Sequence, residues 1–324
     1  MHTSVYRSTR ALMVLVLATV GLACVGSAAS AATVSINLCA VPGATTLPGA
    51  GAVPIWGFGI PTTPGDCSTA TATLPGPQLP VTQGDLVTIA VTNALPPGHV
   101  LSFEIPGITF NAGPTDAAPG ATVSRTFTAS RPGTYLYQSG GNAGRQEAMG
   151  LSGALLVRSP VPNQAYGTAA TAYDVEATLV LTAVDPAFNA APDTFDLVTY
   201  RATYWLINGK PYPDTTAIAA TAGQRVLLRY LNAGFDNTAM ALLGVHQQVV
   251  ARDARLLSNP FQAATETIPA GATEDTIVTV PSTPPPSSHG FPLYNRQLHL
   301  TSGPQTGTGP TPGTGGGMLT FIQP

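Results

Sequence analysis

The sequence predicts an all-β chain folded as two tandem β-sandwiches, and three observations carry that reading. Glycine (34) and proline (31) are abundant and scattered among Val, Thr, Ile and Tyr, the composition of many short strands joined by turns. Several segments alternate apolar and polar residues with period two, while none beyond the N-terminal segment shows sustained helical periodicity with caps. Finally, one pattern occurs twice: Val81-Thr82-Gln83-Gly84-Asp85-Leu86-Val87 through Asn93-Ala94, and Ala220-Thr221-Ala222-Gly223-Gln224-Arg225-Val226 through Asn232-Ala233. In each, a turn glycine precedes a strand that ends in Asn-Ala, as expected of a duplicated sandwich.

In chain order, residues 1–31 read as a secretory signal. Arg7 and Arg10 form its basic part, Ala11 to Val25 its apolar core, and Ala29-Ser30-Ala31 a small-residue cleavage site. The apolar core is short for a bilayer span. Gly21-Leu22-Ala23-Cys24 is similar to a lipoprotein box, but Gly21 stands where a bulky aliphatic residue is expected. Export to the periplasm, the cell surface or the medium is the expectation.

The first domain is expected over residues 32–158. Val87, Ile89 and Val91 share one face of a strand, and Val123, Arg125 and Phe127 share a face of another. Gly84-Asp85, Ala118-Pro119-Gly120 and Arg131-Pro132-Gly133 punctuate them as turns. The tyrosines of Tyr135-Leu136-Tyr137 alternate, the pattern of core packing rather than of a redox relay. The apolar strand Ala154 to Val157 closes this half. Residues 159–172, opening with Ser159-Pro160-Val161-Pro162-Asn163, form a stiff linker, and the second domain is expected over 173–324. It starts on the strand Val175 to Thr182 and ends on Met318 to Ile322. Two stretches rich in Pro, Ser, Thr and Gly, Pro281 to Ser288 and Ser302 to Gly317, read as exposed loops.

Charge narrows the partners. Charged residues are 9% of the chain and Lys210 is its only lysine. Without Arg7 and Arg10, 11 basic residues face 16 acidic ones, a net charge of −5. Such a surface neutralises few phosphates, which excludes nucleic acid and disfavours anionic lipid. No integral membrane segment is expected after signal removal. Cys39 and Cys67 remain once Cys24 leaves with the signal, and in an exported chain they most simply form a disulfide worth about 2–4 kcal/mol. The alternative, a copper-binding thiolate, lacks neighbouring His and Met partners.

Several segments in the right order resemble the multicopper oxidases, whose domains are cupredoxin-like (plastocyanin-like) Greek-key sandwiches. The first half matches in Gly76-Pro77-Gln78-Leu79-Pro80-Val81, Gly84-Asp85, Val91-Thr92-Asn93-Ala94-Leu95, Gly133-Thr134-Tyr135-Leu136-Tyr137 and Gly150-Leu151 to Val157. The second matches in Ile207-Asn208-Gly209-Lys210, Gly223-Gln224-Arg225-Val226-Leu227-Leu228-Arg229, Leu231-Asn232-Ala233 and Val249-Val250-Ala251-Arg252-Asp253. The resemblance implies two tandem cupredoxin-like Greek-key β-sandwiches.

The resemblance also marks what is missing. In the family, His-x-His pairs that hold copper stand where this chain has Glu104 and Pro106, and Gln138 and Gly140. The family's other pairs and its Cys–His–Met cluster belong to a terminal domain with no expected counterpart in this sequence. His99, His246, His289 and His299 are too few for that copper complement. His99, after Pro96-Pro97-Gly98, reads as a solvent-facing turn residue. Its sharper alternative is a weak divalent-ion site with Glu104, Gln138 and Glu147. His246 is expected to pack beneath a turn, His299 to be half-buried and hydrogen-bonded on a strand, and His289 to lie in a loop. There is no Gly-x-Ser-x-Gly elbow, His-Glu-x-x-His or phosphate loop. The expectation is a non-catalytic binding, assembly or surface protein, with no catalytic, cofactor-binding or metal-ligating residues and no cofactor. Its partner would be another protein or a second copy of the chain. The alternative is a copper-binding oxidoreductase with an unusual or intersubunit ligand set.

Overall fold

A computed structural model describes residues 31–303 and 316–324. The expected signal with Cys24, and residues 304–315 of the second Gly/Thr/Pro stretch, lie outside the described residues. The first sandwich pairs two sheets. One has the order β2 (Gly51–Gly59), β1 (Thr33–Leu47), β4 (Leu86–Asn93), β7 (Thr122–Thr128). The other has the order β3 (Gly76–Thr82), β9 (Ser152–Arg158), β8 (Gly133–Ser139), β5 (Leu101–Glu104), β6 (Asp116–Ala117). The second sandwich repeats the plan. Its larger sheet runs β11 (Tyr204–Ile207), β10 (Val175–Val184), β13 (Arg225–Asn232), β18 (Thr273–Thr279), β15 (Gln247–Arg252), β16 (Arg255–Ala263). The facing sheet runs β12 (Ile218–Ala219), β20 (Leu319–Gln323), β19 (Phe291–Asn295), β14 (Thr238–Leu242), β17 (Thr265–Ile268).

The two Asn-Ala strands occupy equivalent places. β4 pairs parallel to β1, and β13 parallel to β10. The buried Asn93 amide donates to the carbonyls of His99 and Ala117 at 2.7 and 2.9 Å, while its oxygen accepts the Leu95 N–H. Asn232 does the same with Asp236, Ile268 and Gly234. Each asparagine thereby ties off the polar backbone where the chain leaves the sheet, a role that needs both donor and acceptor on one short side chain.

The alternation read from sequence is the packing seen. Val87, Ile89, Val91, Val123 and Phe127 are completely buried in the first core with Phe58, Phe103 and Tyr137. Tyr135 and Tyr137 both face that core, their hydroxyls donating to the carbonyls of Arg131 and Pro77. Cys39 and Cys67 form a disulfide. Two short helices escaped the sequence reading: α1 (Arg145–Ala148) and α2 (Pro186–Ala190), the latter capped by Asp185 with proline at its first turn.

The segment after β10 crosses back onto the first sandwich. Phe188, Phe195, Leu197 and Tyr200 pack against the first core, and the Asn189 amide donates to Pro54 O at 2.8 Å. At the centre of the boundary, Arg229 is 1% exposed and bonds Glu176 at 2.7 Å and Asp275 at 3.0 Å. The same guanidinium donates to the hydroxyl of Thr134 on β8, and both Thr134 and Tyr166 donate to Asp275 at 2.6 Å. A buried guanidinium is tolerated only when paired this completely. Burial works against ionisation of Glu176, but Arg158 and Arg229 together hold its carboxyl below the ordinary value.

Candidate functional site

Three of the four positions that carry histidines in the resembling family, Glu104, Gln138 and Gly140, converge. β5 pairs antiparallel to β8 with Glu104 directly opposite Gln138, and the Gln138 amide donates to Glu104 Oε1 at 3.1 Å. Pro106 lies two residues beyond Glu104, and Gly140 just past the end of β8. A Cβ built on Gly140 would stand 3.1 Å from Glu104 Oε1 and 3.9 Å from Glu147 Oε1. The Glu104 carboxylate therefore crowds the space that any side chain at 140 would enter.

The turn carrying Gly140 is held from below. Gln146 is fully buried, accepts from the Ser139 hydroxyl at 2.6 Å and donates to Val100 O at 2.9 Å. Arg145 donates to Pro192 O and Phe195 O, fastening α1 to the segment that crosses back from the second sandwich. Glu147, next in the chain after these two anchors, faces Gly140 and Gly144 beside the half-exposed ring of Phe235. Burial, and the nearby charge of Glu104, push the Glu147 carboxyl up to about 7. Near neutrality Glu147 therefore binds a proton readily.

These residues do not fit the family's copper. Glu104 is engaged by an amide, Gln138 presents that amide, Pro106 has no donor atom and Gly140 has no side chain. No imidazole or thiolate joins them, and copper centres of this family are built on both. Among the described residues no three His, Cys, Asp or Glu side chains cluster as a metal site.

The histidines lie elsewhere, and three differ from the sequence reading. His99 is not solvent-facing: it is 9% exposed, packs on Trp56 with ring centroids 4.5 Å apart, and lies 3.5 Å from Asp193. Its burial comes from the segment after α2, a contact between residues almost a hundred positions apart. It does not join Glu104, Gln138 and Glu147. His246 is exposed on the loop before β15 rather than packed beneath a turn. His299 is half-buried as expected but follows β19 in a loop, stacked on Trp205 at 4.2 Å. Burial pushes its imidazole below the usual value. His289 is an exposed loop residue, as expected.

Paired Greek-key sandwiches with matching Asn-capped strands define the class as cupredoxin-like. The multicopper oxidase family description matches residues 62–162. Laccase-3 of Oryza sativa subsp. japonica is 27% identical over 245 residues, 67% of this chain and 41% of that protein. The copper-containing nitrite reductase of Alcaligenes xylosoxydans xylosoxydans is 29% identical over 236 residues, 65% of this chain and 70% of that protein. Among solved structures, a blue copper oxidase from Nitrosomonas europaea superposes with a TM-score of 0.72 at 22% identity, covering 90% of this chain and 86% of that one. A copper nitrite reductase from the same organism gives 0.66 at 20% identity, covering 90% and 94%. The chain is similar to multicopper oxidases over these stretches, and it spans less than half the length of the laccase it matches.

Proposed function

We propose that this protein is an exported, non-catalytic member of the family, with residues 32–158 and 173–324 as its two domains, which uses the scaffold for binding or assembly. The observation that carries the proposal is the Glu104–Gln138 hydrogen bond. Two neighbouring family ligand positions are satisfied by one another, and the other two, Pro106 and Gly140, offer no donor. Around them the buried Gln146, the Tyr137–Pro77 bond and the glycines of the turn are kept in order, so the fold has a use that does not run through a family-type copper centre. The disulfide supports an oxidising compartment. No described helix is long and apolar enough to cross a membrane.

A copper-binding oxidoreductase is the second reading. In its favour, Glu104 and Glu147 leave oxygen atoms around Gly140 for residues of another chain to complete, although oxygen donors are poor copper ligands beside imidazole and thiolate. The test is to equilibrate the purified protein with Cu(II), remove loose metal by desalting, and measure bound copper, the visible spectrum and phenol oxidation. The non-catalytic reading expects no retained copper and no turnover. Stoichiometric copper after desalting overturns it.

A further inference from the structure

At the base of the boundary between the sandwiches, a cleft of about 420 Å³ is lined by Pro106, Gly107, Tyr135, Leu136, Asp253 and Arg255, with the 270–273 backbone behind. Its size lies within the range of small-molecule sites. A second hollow of about 150 Å³ shares Gly107 and Tyr135 and is bordered by Arg131. We infer that these joined clefts bind a small organic monocarboxylate, its carboxylate held by Arg255 and Arg131 and its apolar body against Pro106, Leu136 and the ring of Tyr135. The inference rests on the binding reading above and names a ligand class for it.

Four observations lead there. The first is the state of the arginines. Arg125, Arg145, Arg158, Arg201, Arg225, Arg229 and Arg252 all have side-chain hydrogen bonds or ion pairs. Among the described residues Arg255 and Arg296 have neither, and of these two only Arg255 lines a cleft with Tyr135. Arg131 has no ion pair, and its Nε is buried without a hydrogen-bond partner. Such an orphaned donor calls for an acceptor. The second is convergence. Burial raises the Tyr135 phenol, and a side-chain contact from Arg131, then the charges of Arg131 and Arg255, oppose that rise. Both arginines therefore lie close to the same ring, and the Arg131 guanidinium reaches its hydroxyl.

The third is charge balance. Asp253 is the one carboxylate lining the larger cleft, and one of its oxygens already accepts the Thr273 N–H at 3.0 Å. Two guanidinia against one carboxylate leave a single positive charge, which matches a monoanion and disfavours inorganic phosphate. A planar carboxylate also suits the guanidinium fork. The fourth is backbone. Asp253 (φ 46°) and Ala254 (φ 54°) form the two-residue turn between β15 and β16, left-handed at both positions without a glycine. The turn is held there because Ala254 is buried against Gly133 of the first sandwich, where an added Cβ would stand 2.5 Å from the alanine methyl. This docking places Arg255 over the cleft, at a cost in backbone strain that often marks ligand sites.

The test is titration of the purified protein with sodium benzoate, with benzamide and inorganic phosphate in parallel, read by calorimetry and by amide NMR shifts. Saturable benzoate binding is expected, with shifts at Gly107, Leu136, Gly271 and Ala272, and benzamide and phosphate at least about tenfold weaker. Arg255→Gln, at an exposed position that leaves the fold intact, should weaken benzoate about tenfold or more, and Arg131→Gln likewise. Shifts elsewhere, no saturation, or unchanged affinity in Arg255→Gln with an unaltered melting temperature would overturn the inference. A metal-free, folded protein that ignores benzoate sinks this inference alone, whereas tightly retained copper sinks the binding reading whatever Arg255 does.

Discussion

The two ends of strand β8 meet the rest of the molecule in opposite ways. At Thr134, the hydroxyl and carbonyl enter a network with Arg229, Asp275 and Thr273. At Gln138, four residues on, the side chain reaches a carboxylate that stands near a second one, with a bare glycine between them. The first end is a finished joint between sandwiches. The second keeps the frame of a metal site and none of its imidazoles. One strand thus shows that the joint needs no histidine at Gln138 or Gly140, since the network at Thr134 forms without one.

Breaking the joint should have the largest effect. Arg229→Ala strands Asp275 and Glu176 at a boundary with little water, and a loss of about 3–5 kcal/mol is expected in urea unfolding. A loss below about 1 kcal/mol would mean that the network is ornamental and that apolar packing alone joins the sandwiches. Next comes Gly133→Ala. The φ of 145° and the proximity of the Ala254 methyl both oppose a new Cβ, and about 2–3 kcal/mol should be lost. Because the clash is with Ala254, pairing the change with Ala254→Gly should recover part of that loss, which a purely local backbone effect would not.

A third test lies within the second sandwich, where Glu274 is 2% exposed and one of its oxygens has no hydrogen-bond partner. Burial, and then the charge of Glu266, push its carboxyl up to about 8 despite its 2.9 Å contact with Arg252. A carboxyl raised in the folded state contributes stability that is full below its unfolded value of 4.5 and is lost as pH rises towards 8. Glu274→Gln should therefore flatten the stability profile between those limits and stabilise the protein by about 1–2 kcal/mol at pH 8.5. An unchanged slope would place the proton elsewhere.

What the sequence made legible was local or repeated. Period-two alternation located β4, β7 and β13, the Asn-Ala repeat exposed the duplication, and the Gly133 to Val157 segment placed β8 and β9. The absence of histidine at Glu104, Pro106, Gln138 and Gly140 was also readable, and β5 and β8 hold Glu104 opposite Gln138 in fixed register. What escaped depended on distant chain. His99 sits in a Pro-Pro-Gly turn that reads as exposed until the segment carrying Asp193 folds over it. Ala254 looks like any turn residue until Gly133 meets it. Arg229 and Asp275 lie on the paired strands β13 and β18, and nothing in the sequence says that they are each other's partners. Arg131 and Arg255 flank one tyrosine across the boundary between sandwiches, and no spacing in the chain announces that.

The smallest expected effect belongs to the vacant end of β8 and tests how the two carboxylates share it. Glu147, raised to about 7 by burial and by Glu104, should lose its contribution to stability between pH 4.5 and 7. Its side chain is partly solvated, so the gain from Glu147→Gln at pH 8 should be well below the full shift, about 1 kcal/mol or less. Glu104→Gln is the informative companion, because it removes the neighbouring charge while leaving Glu147 buried as before. The Glu147 transition should then move towards lower pH but stay above 4.5, since burial is the larger cause. If Glu104→Gln instead leaves the transition where it was, the two carboxylates do not sense one another. The vacant end would then be two independent side chains rather than the remnant of a shared site.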